Sequence, residues 1–259
     1  MKLTTATLAA MAVLLFASVS WGDNARPTVV LVHGAFADTS SWNGVVKRLK
    51  SGGYSVIAAA NPLRSVQRDA DYIRSLVASI KSPVILVGHS YGGLVINDAA
   101  TGSSNVEALV FVSAFAPDVG ETALALSGRF PGSTLGATLA PGVPLAAGGE
   151  DLYIQQDKFP SQFAADVSPT EALLMSATQR PISKAALEEA AAGAAWRRIP
   201  SWFIYGDADK NIPPEAQAFM AHRAASKQTV VIRGGSHVVM ISHADAVAKL
   251  ILQAAGNGS

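Results

Sequence analysis

A chain of 259 residues with 49% hydrophobic side chains is long enough for one α/β domain around a buried sheet. Its 20 basic and 19 acidic residues leave a net charge of +1 with no Lys/Arg run, which argues against a nucleic-acid or anionic-membrane surface and for a small-molecule partner. The absence of cysteine excludes a disulfide framework, thiol nucleophiles and Cys-ligated metals, so the core alone must stabilise the fold.

At the start of the chain Lys2 precedes the apolar run LAAMAVLLFASVS, residues 8 to 20, and small-residue punctuation at Ser20 and Gly22. This pattern reads as a secretory signal peptide over residues 1–22, cleaved near Ser20 or Gly22. The run is too short to span a bilayer comfortably, so an exported protein, periplasmic or extracellular and without stable membrane association after cleavage, is expected. From Thr28 short β-branched runs alternate with helical stretches, the order of a parallel sheet covered on both faces by crossover helices. Six strands are predicted: TVVLVHG (28–34), YSVIAAANP (54–62), PVILVGH (83–89), VEALVFVSA (106–114), SWFIYGD (201–207) and QTVVIRGG (228–235). Helices are predicted in SWNGVVKRLKSGG, VQRDADYIRSLVASIK, YGGLVINDAAT, PEAQAFMAHRAA and HADAVAKLILQAA.

The alternation breaks from Ala116 to about Arg198, where Pro and Gly residues separate short helical pieces, SPTEALLMSA and SKAALEEAAAGAAW among them. Without a strong strand pattern of its own, this interval (116–198) is expected to be a cap over the sheet edge, inserted into a single domain spanning 23–259.

The segment VGHSYGG, residues 87–93, lies where a buried strand ends and a helix begins. Gly88 and Gly92 flank Ser90 in a G-x-S-x-G pattern, and a strand-to-helix turn that tight has no room for side chains there. Ser90 would then stand at the carboxyl edge of the sheet as a nucleophile. A serine hydroxyl needs a base, and of the five histidines His237 follows the last strand and so reaches the same edge. His33 and His89, in strand-end turns, read as structural, while His222 and His243 fall in helices. The acid that orients the base is expected between serine and histidine in the chain. YGDADKNIPP, residues 205–214, offers two carboxylates, of which Asp209 is favoured as the acid and Asp207 as a turn cap, with Asp118 a distant alternative. Two backbone amides must hold the oxyanion, and the positions after Ser90 and after Gly34 nominate Tyr91 and Ala35. Phe36, Phe115 and Val238 are candidate substrate-binding residues, and Trp42, Phe130, Tyr153, Phe159 and Phe163 are further aromatics for an apolar pocket. No metal and no organic cofactor is required by this machinery.

The four motifs VHGA, GHSYGG, GDADKNIP and GGSH, in this order and at these element boundaries, resemble the α/β-hydrolase superfamily over nearly the whole chain after the leader. Within it, LVHGAFADTSSW, GHSYGGLVI and GGSHVVMISHADAV look most like the branch of methylesterases, hydroxynitrile lyases and bacterial serine esterases. The resemblance implies an α/β-hydrolase fold, with Ser90, Asp209 and His237 as nucleophile, acid and base. Hydroxynitrile lyases of this branch carry a lysine after the catalytic histidine and a threonine after the first-loop histidine. Here those positions are Val238 and Gly34, which disfavours lyase chemistry. A serine carboxylesterase acting on small to medium apolar or aryl esters is therefore expected. The alternatives are lactone, perhydrolase or carbon–carbon bond hydrolase activity with the same triad, or a ligand-binding protein that retains it.

Overall fold

A computed structural model describes residues 26–256. The expected signal peptide lies outside them. All six predicted strands form within one parallel sheet: β1 (Thr28–Val32), β2 (Ser55–Ala59), β3 (Val84–His89), β4 (Val106–Val112), and two more, Ser201–Gly206 and Gln228–Ile232. Their spatial order is β2-β1-β3-β4, then the Ser201 and Gln228 strands. Every residue of β1, β3 and the Ser201 strand is buried, as expected of strands whose sequences are continuous apolar runs, aliphatic in β1 and β3 and largely aromatic in SWFIYG, rather than alternating ones.

Right-handed crossovers decide where the helices go. The chain moves outward from β1 through α1 (Asn43–Ser51) to β2, then reverses through α2 (Val66–Ser79) to β3 and continues through α3 (Gly92–Ala100) to β4. The outward and return crossovers therefore cover opposite faces, α1 on one and α2 packed with α3 on the other. The strand order reverses between β1 and β3. The two strands stay paired to their carboxyl ends, but the segments that follow turn to opposite faces, the arrangement in which sheets of this kind place ligands.

Between β4 and the Ser201 strand the chain leaves the sheet and builds the cap. It contains α4 (Ala123–Gly128), β5 (Val143–Pro144), β6 (Glu150–Leu152), α5 (Phe159–Phe163), α6 (Pro169–Thr178), β7 (Ile182–Ser183) and α7 (Lys184–Glu188). Two features depart from the sequence expectation. The cap has an antiparallel sheet of its own, β5-β6-β7, whose strands of two and three residues are too short to leave a period. The helix expected to run on from Lys184 to Trp196 stops at Glu188. Glu189 turns to extended backbone, and its carboxylate accepts from Val66 N (2.7 Å), Gln67 N (3.1 Å) and Ser65 Oγ (3.1 Å), capping the amino end of α2 in place of continuing its own helix.

The remaining elements return to the sheet as β8 (Ser201–Gly206), α8 (Pro214–Arg223), β9 (Gln228–Ile232), α9 (Val239–Ser242) and α10 (Ala244–Gly256). α10 packs against α1 on their shared face. Among the described residues no helix is long and apolar enough to cross a membrane.

Candidate active site

Ser90 closes β3 with φ of 53°, a left-handed conformation that lifts its side chain out of the sheet. The backbone around it is fixed: Ser90 N donates to Ser113 O at 3.1 Å, and Ser90 O accepts from Gly93 N at 2.9 Å and Phe115 N at 3.2 Å. Three glycines make the turn possible. A Cβ on Gly88 would lie 2.6 Å from Gly92 O, one on Gly92 2.5 Å from Val32 O, and one on Gly93 2.1 Å from Phe115 O, so no side chain fits at any of them. Gly34, which brings the β1 loop against the serine, is held to the same limit by the Ser90 Cβ 2.6 Å away.

His237 stands on the loop after β9, and its Nδ1 is 2.7 Å from Asp209 Oδ2, with both side chains almost fully buried. A carboxylate only accepts, so Nδ1 carries the ring proton and Nε2 keeps its lone pair for the serine. Asp209 is itself held by three other donors: Asn211 N (2.8 Å) and Ile212 N (3.1 Å) on Oδ1, and Gln217 Nε2 (2.9 Å) on Oδ2. Ser90 and His237 line the same cavity. No hydrogen bond joins their side chains among the described residues, a contact that in such sites commonly tightens when a carbonyl binds.

Ala35 and Tyr91 border that cavity too. Among the described residues neither main-chain N–H donates to a backbone acceptor, so both are free to receive an anion. The next amide along, Phe36 N, donates to Arg180 O of the cap at 3.0 Å while Phe36 adopts φ of 59°, which sets the orientation of the loop carrying Ala35.

The other ionisable candidates fall outside this constellation. His33 Nδ1 is 3.0 Å from Gly34 O, and its Nε2 accepts from Asn61 N at 3.0 Å, tying the ends of β1 and β2 together. Burial lowers its pKa to about 4. His89 Nε2 lies 3.1 Å from His237 O, and burial again pushes the ring well below its ordinary value. Both imidazoles are thus kept neutral as structural ties. His243 Nδ1 pairs with Ser242 Oγ at 2.9 Å, and His222 lies in the last turn of α8. Asp207 accepts from Gly234 N at 2.6 Å and closes a turn, while Asp118 is ion-paired with Arg197, whose guanidinium holds the carboxyl below its usual range.

The cavity has a volume of about 140 Å³. Phe36, Phe115 and Phe163 line it, whereas Trp42, Phe130, Tyr153 and Phe159 do not. Val238 departs from expectation: it is fully buried beneath the histidine loop and forms no part of the cavity wall, because α9 begins directly after it and turns its side chain into the core. Much of the wall comes instead from aliphatic residues with no distinguishing sequence signal, Leu124, Leu135, Leu139 and Leu187 of the cap and Ile212 after β8. Ser127 and Ser133 commit their hydroxyl protons to Asn211 O at 3.1 and 3.0 Å, and no Asp, Glu, Lys or Arg lines the cavity. Gln217 is the functional neighbour that motif reasoning missed. Its signal was a polar residue in the buried register of α8, beside Ala216, Met220 and Ala221.

The model of the alpha/beta hydrolase family matches residues 29–250. An alpha/beta hydrolase of Aspergillus novofumigatus is 26% identical over 252 residues, covering 89% of this chain and 97% of the relative. Methylesterase 7 of Arabidopsis thaliana is 35% identical over 111 residues, 37% of this chain and 43% of that protein. Among solved structures, polyneuridine aldehyde esterase superposes with a TM-score of 0.76 at 21% identity, over 88% of this chain and 99% of its own.

Proposed function

The chain belongs to the alpha/beta hydrolase family, and we propose that it hydrolyses carboxylic esters through an acyl-enzyme formed on Ser90. The observation that carries this reading is the alignment at one cavity of a serine on a strained strand-to-helix turn, a buried Asp209–His237 pair and two unspent amides. Relatives named as esterases support the reaction class. Ser90 Oγ attacks the ester carbonyl as His237 Nε2 takes its proton, and Asp209 stabilises the imidazolium. The Ala35 and Tyr91 amides receive the charge that develops on the carbonyl oxygen. His237 then protonates the departing alcohol, and the same nitrogen activates the water that releases the acid and restores Ser90.

The cavity argues for the substrate class. Its volume is close to the roughly 150 Å³ of an apolar cavity that accepts benzene. It offers no charged side chain, and the protons of its two cap serines are already donated. We read this as a site for a short acyl or single-ring group of a neutral ester, in a protein exported through its leader and acting on a free small molecule rather than on a nucleic acid or a membrane.

Hydrolysis of nitrophenyl acetate, butyrate, benzoate and decanoate by the protein and its Ser90→Ala variant tests both parts. Activity should fall at least about 10⁴-fold in the variant, with the short and single-ring esters preferred by the parent. Equal rates in the two proteins would remove the nucleophile, and a decanoate optimum would remove the substrate class.

A further inference from the structure

We propose that Asp166 of the cap is a positioning residue that fixes the loop bearing His237 through the hydroxyl of Ser236. The proposal rests on the esterase reading above, since it concerns how that reading's base is held.

Asp166 lies between α5 and α6, yet its carboxylate makes no hydrogen bond within the cap. Oδ1 instead accepts from Ser236 Oγ, the side chain immediately before the base. That hydroxyl also accepts from Val238 N at 3.5 Å, so a single oxygen spans the residues on both sides of His237. Ser236 is 2% exposed, so its hydroxyl depends on protein partners, Asp166 Oδ1 foremost. The same stretch of cap touches the base directly: the Phe163 ring stands 5.0 Å from the His237 ring, edge-on, and Phe163 O is 3.4 Å from Ser236 Oγ. The other oxygen, Oδ2, is buried without a hydrogen bond among the described residues and lies 3.6 Å from His243 Nδ1. A carboxylate half-satisfied in this way is poor for cap stability alone, and its one strong bond goes to the catalytic loop. The imidazole is thus held from two sides. Asp209 sets its rotation through Nδ1, and Asp166 sets the height and direction of the backbone that carries it.

An error of an ångström in placing a catalytic group can cost on the order of 100-fold in rate, and release of one of two restraints should cost less. The test compares Asp166→Ala, Asp166→Asn, Ser236→Ala and the double alanine variant. It follows kcat and KM on nitrophenyl butyrate, the rate at which a small phosphonofluoridate labels Ser90, and the thermal midpoint. The expected result is a kcat about tenfold lower in Asp166→Ala and in Ser236→Ala with KM within about twofold. Labelling should slow in parallel, and the double variant should be no slower than the slower single one. Asp166→Asn, which keeps the Oδ1 acceptor, should stay within about threefold of the parent. Unchanged kcat and labelling in a folded Asp166→Ala, or losses that multiply in the double variant, would overturn the proposal. If Asp166→Ala does not fold, Ser236→Ala decides alone by the same criterion. Failure of the parent protein to label at Ser90 would instead overturn the esterase reading, so the two failures are distinguishable.

Discussion

Every side chain of β1, β3 and β8 is buried, and the glycines between them are hemmed in by neighbouring backbone. The cap above them has strands of two and three residues, leaves Leu173 and Leu174 61% and 64% exposed, and sets Gly128 and Gly136 in open space. The sheet region carries all the groups assigned to the chemistry, placed by strand ends whose positions the packed core determines. The cap supplies most of the aliphatic wall of the cavity and touches the chemistry at few points, chiefly Arg180 O on Phe36 and Asp166 on Ser236. Apart from those contacts and Phe163 against His237, a packed floor under an aliphatic roof allows substrate preference to vary without disturbing the reaction.

The largest effects should therefore come from the floor. Ser90→Ala and His237→Ala are each expected to lower kcat by about 10⁴ to 10⁶-fold, and their combination by little more, because they act as one unit. Multiplying losses would show that the two do not share a step. Asp209→Asn should cost about 10³ to 10⁴-fold by favouring the wrong ring tautomer, while Asp207→Asn, which touches only a turn, should leave kcat near the parent value. Steady-state rates on one ester settle all four.

Stability should divide along the same boundary. Gly93→Ala drives a methyl group into Phe115 O and should destabilise the fold by more than about 4 kcal/mol, whereas Gly136→Ala in the cap should stay within about 0.5 kcal/mol. Urea midpoints would read the difference, and equal midpoints would erase the distinction between the regions.

Acid should attack the floor through its buried histidines. His33 has a pKa lowered to about 4 by burial, so between its ordinary value of 6.5 and 4 the unfolded chain binds the proton that the folded chain refuses. Its contribution to stability is complete above pH 6.5 and is lost as pH falls through that window, about 3 kcal/mol by pH 4. His33→Gln should flatten the decline of the urea midpoint from pH 7 to 4.5, and an unaltered slope would assign acid sensitivity elsewhere.

The smallest change belongs to the roof. Leu139→Ala or Leu187→Ala widens the cavity by a few carbons and should raise the hexanoate-to-acetate ratio of kcat/KM by about tenfold. The acetate rate itself should remain within about threefold of the parent. A collapse of acetate hydrolysis would mean that these leucines do more than shape the pocket.

How far the sequence disclosed this arrangement follows the same division. Sheet strands need short β-branched or aromatic runs, and a tight strand-to-helix turn needs glycines, so the six strands and the turn around Ser90 were legible. The order of elements brought the histidine after the last strand and the two carboxylates of GDAD to one edge, the position within that turn favoured the second, and His237 and Asp209 do meet. Val238 misled because adjacence in sequence to the base does not say which way a side chain turns once a helix begins. Gln217 and Asp166 escaped because their partners, Asp209 and Ser236, lie 8 and 70 residues away, and only the folded chain brings each pair together. The cavity wall escaped because Leu139 and Leu187 look like any other core leucine until the cap is closed.

Whether an acyl group is carried on Ser90 is read from the intact mass of the protein trapped by rapid acid quench during turnover of nitrophenyl butyrate. A population heavier by one butyryl group is expected, mapped by peptide sequencing to Ser90 and lost in Ser90→Ala. Full turnover with no adduct in the parent, or an adduct on another residue that persists in Ser90→Ala, would contradict an acyl-enzyme on Ser90.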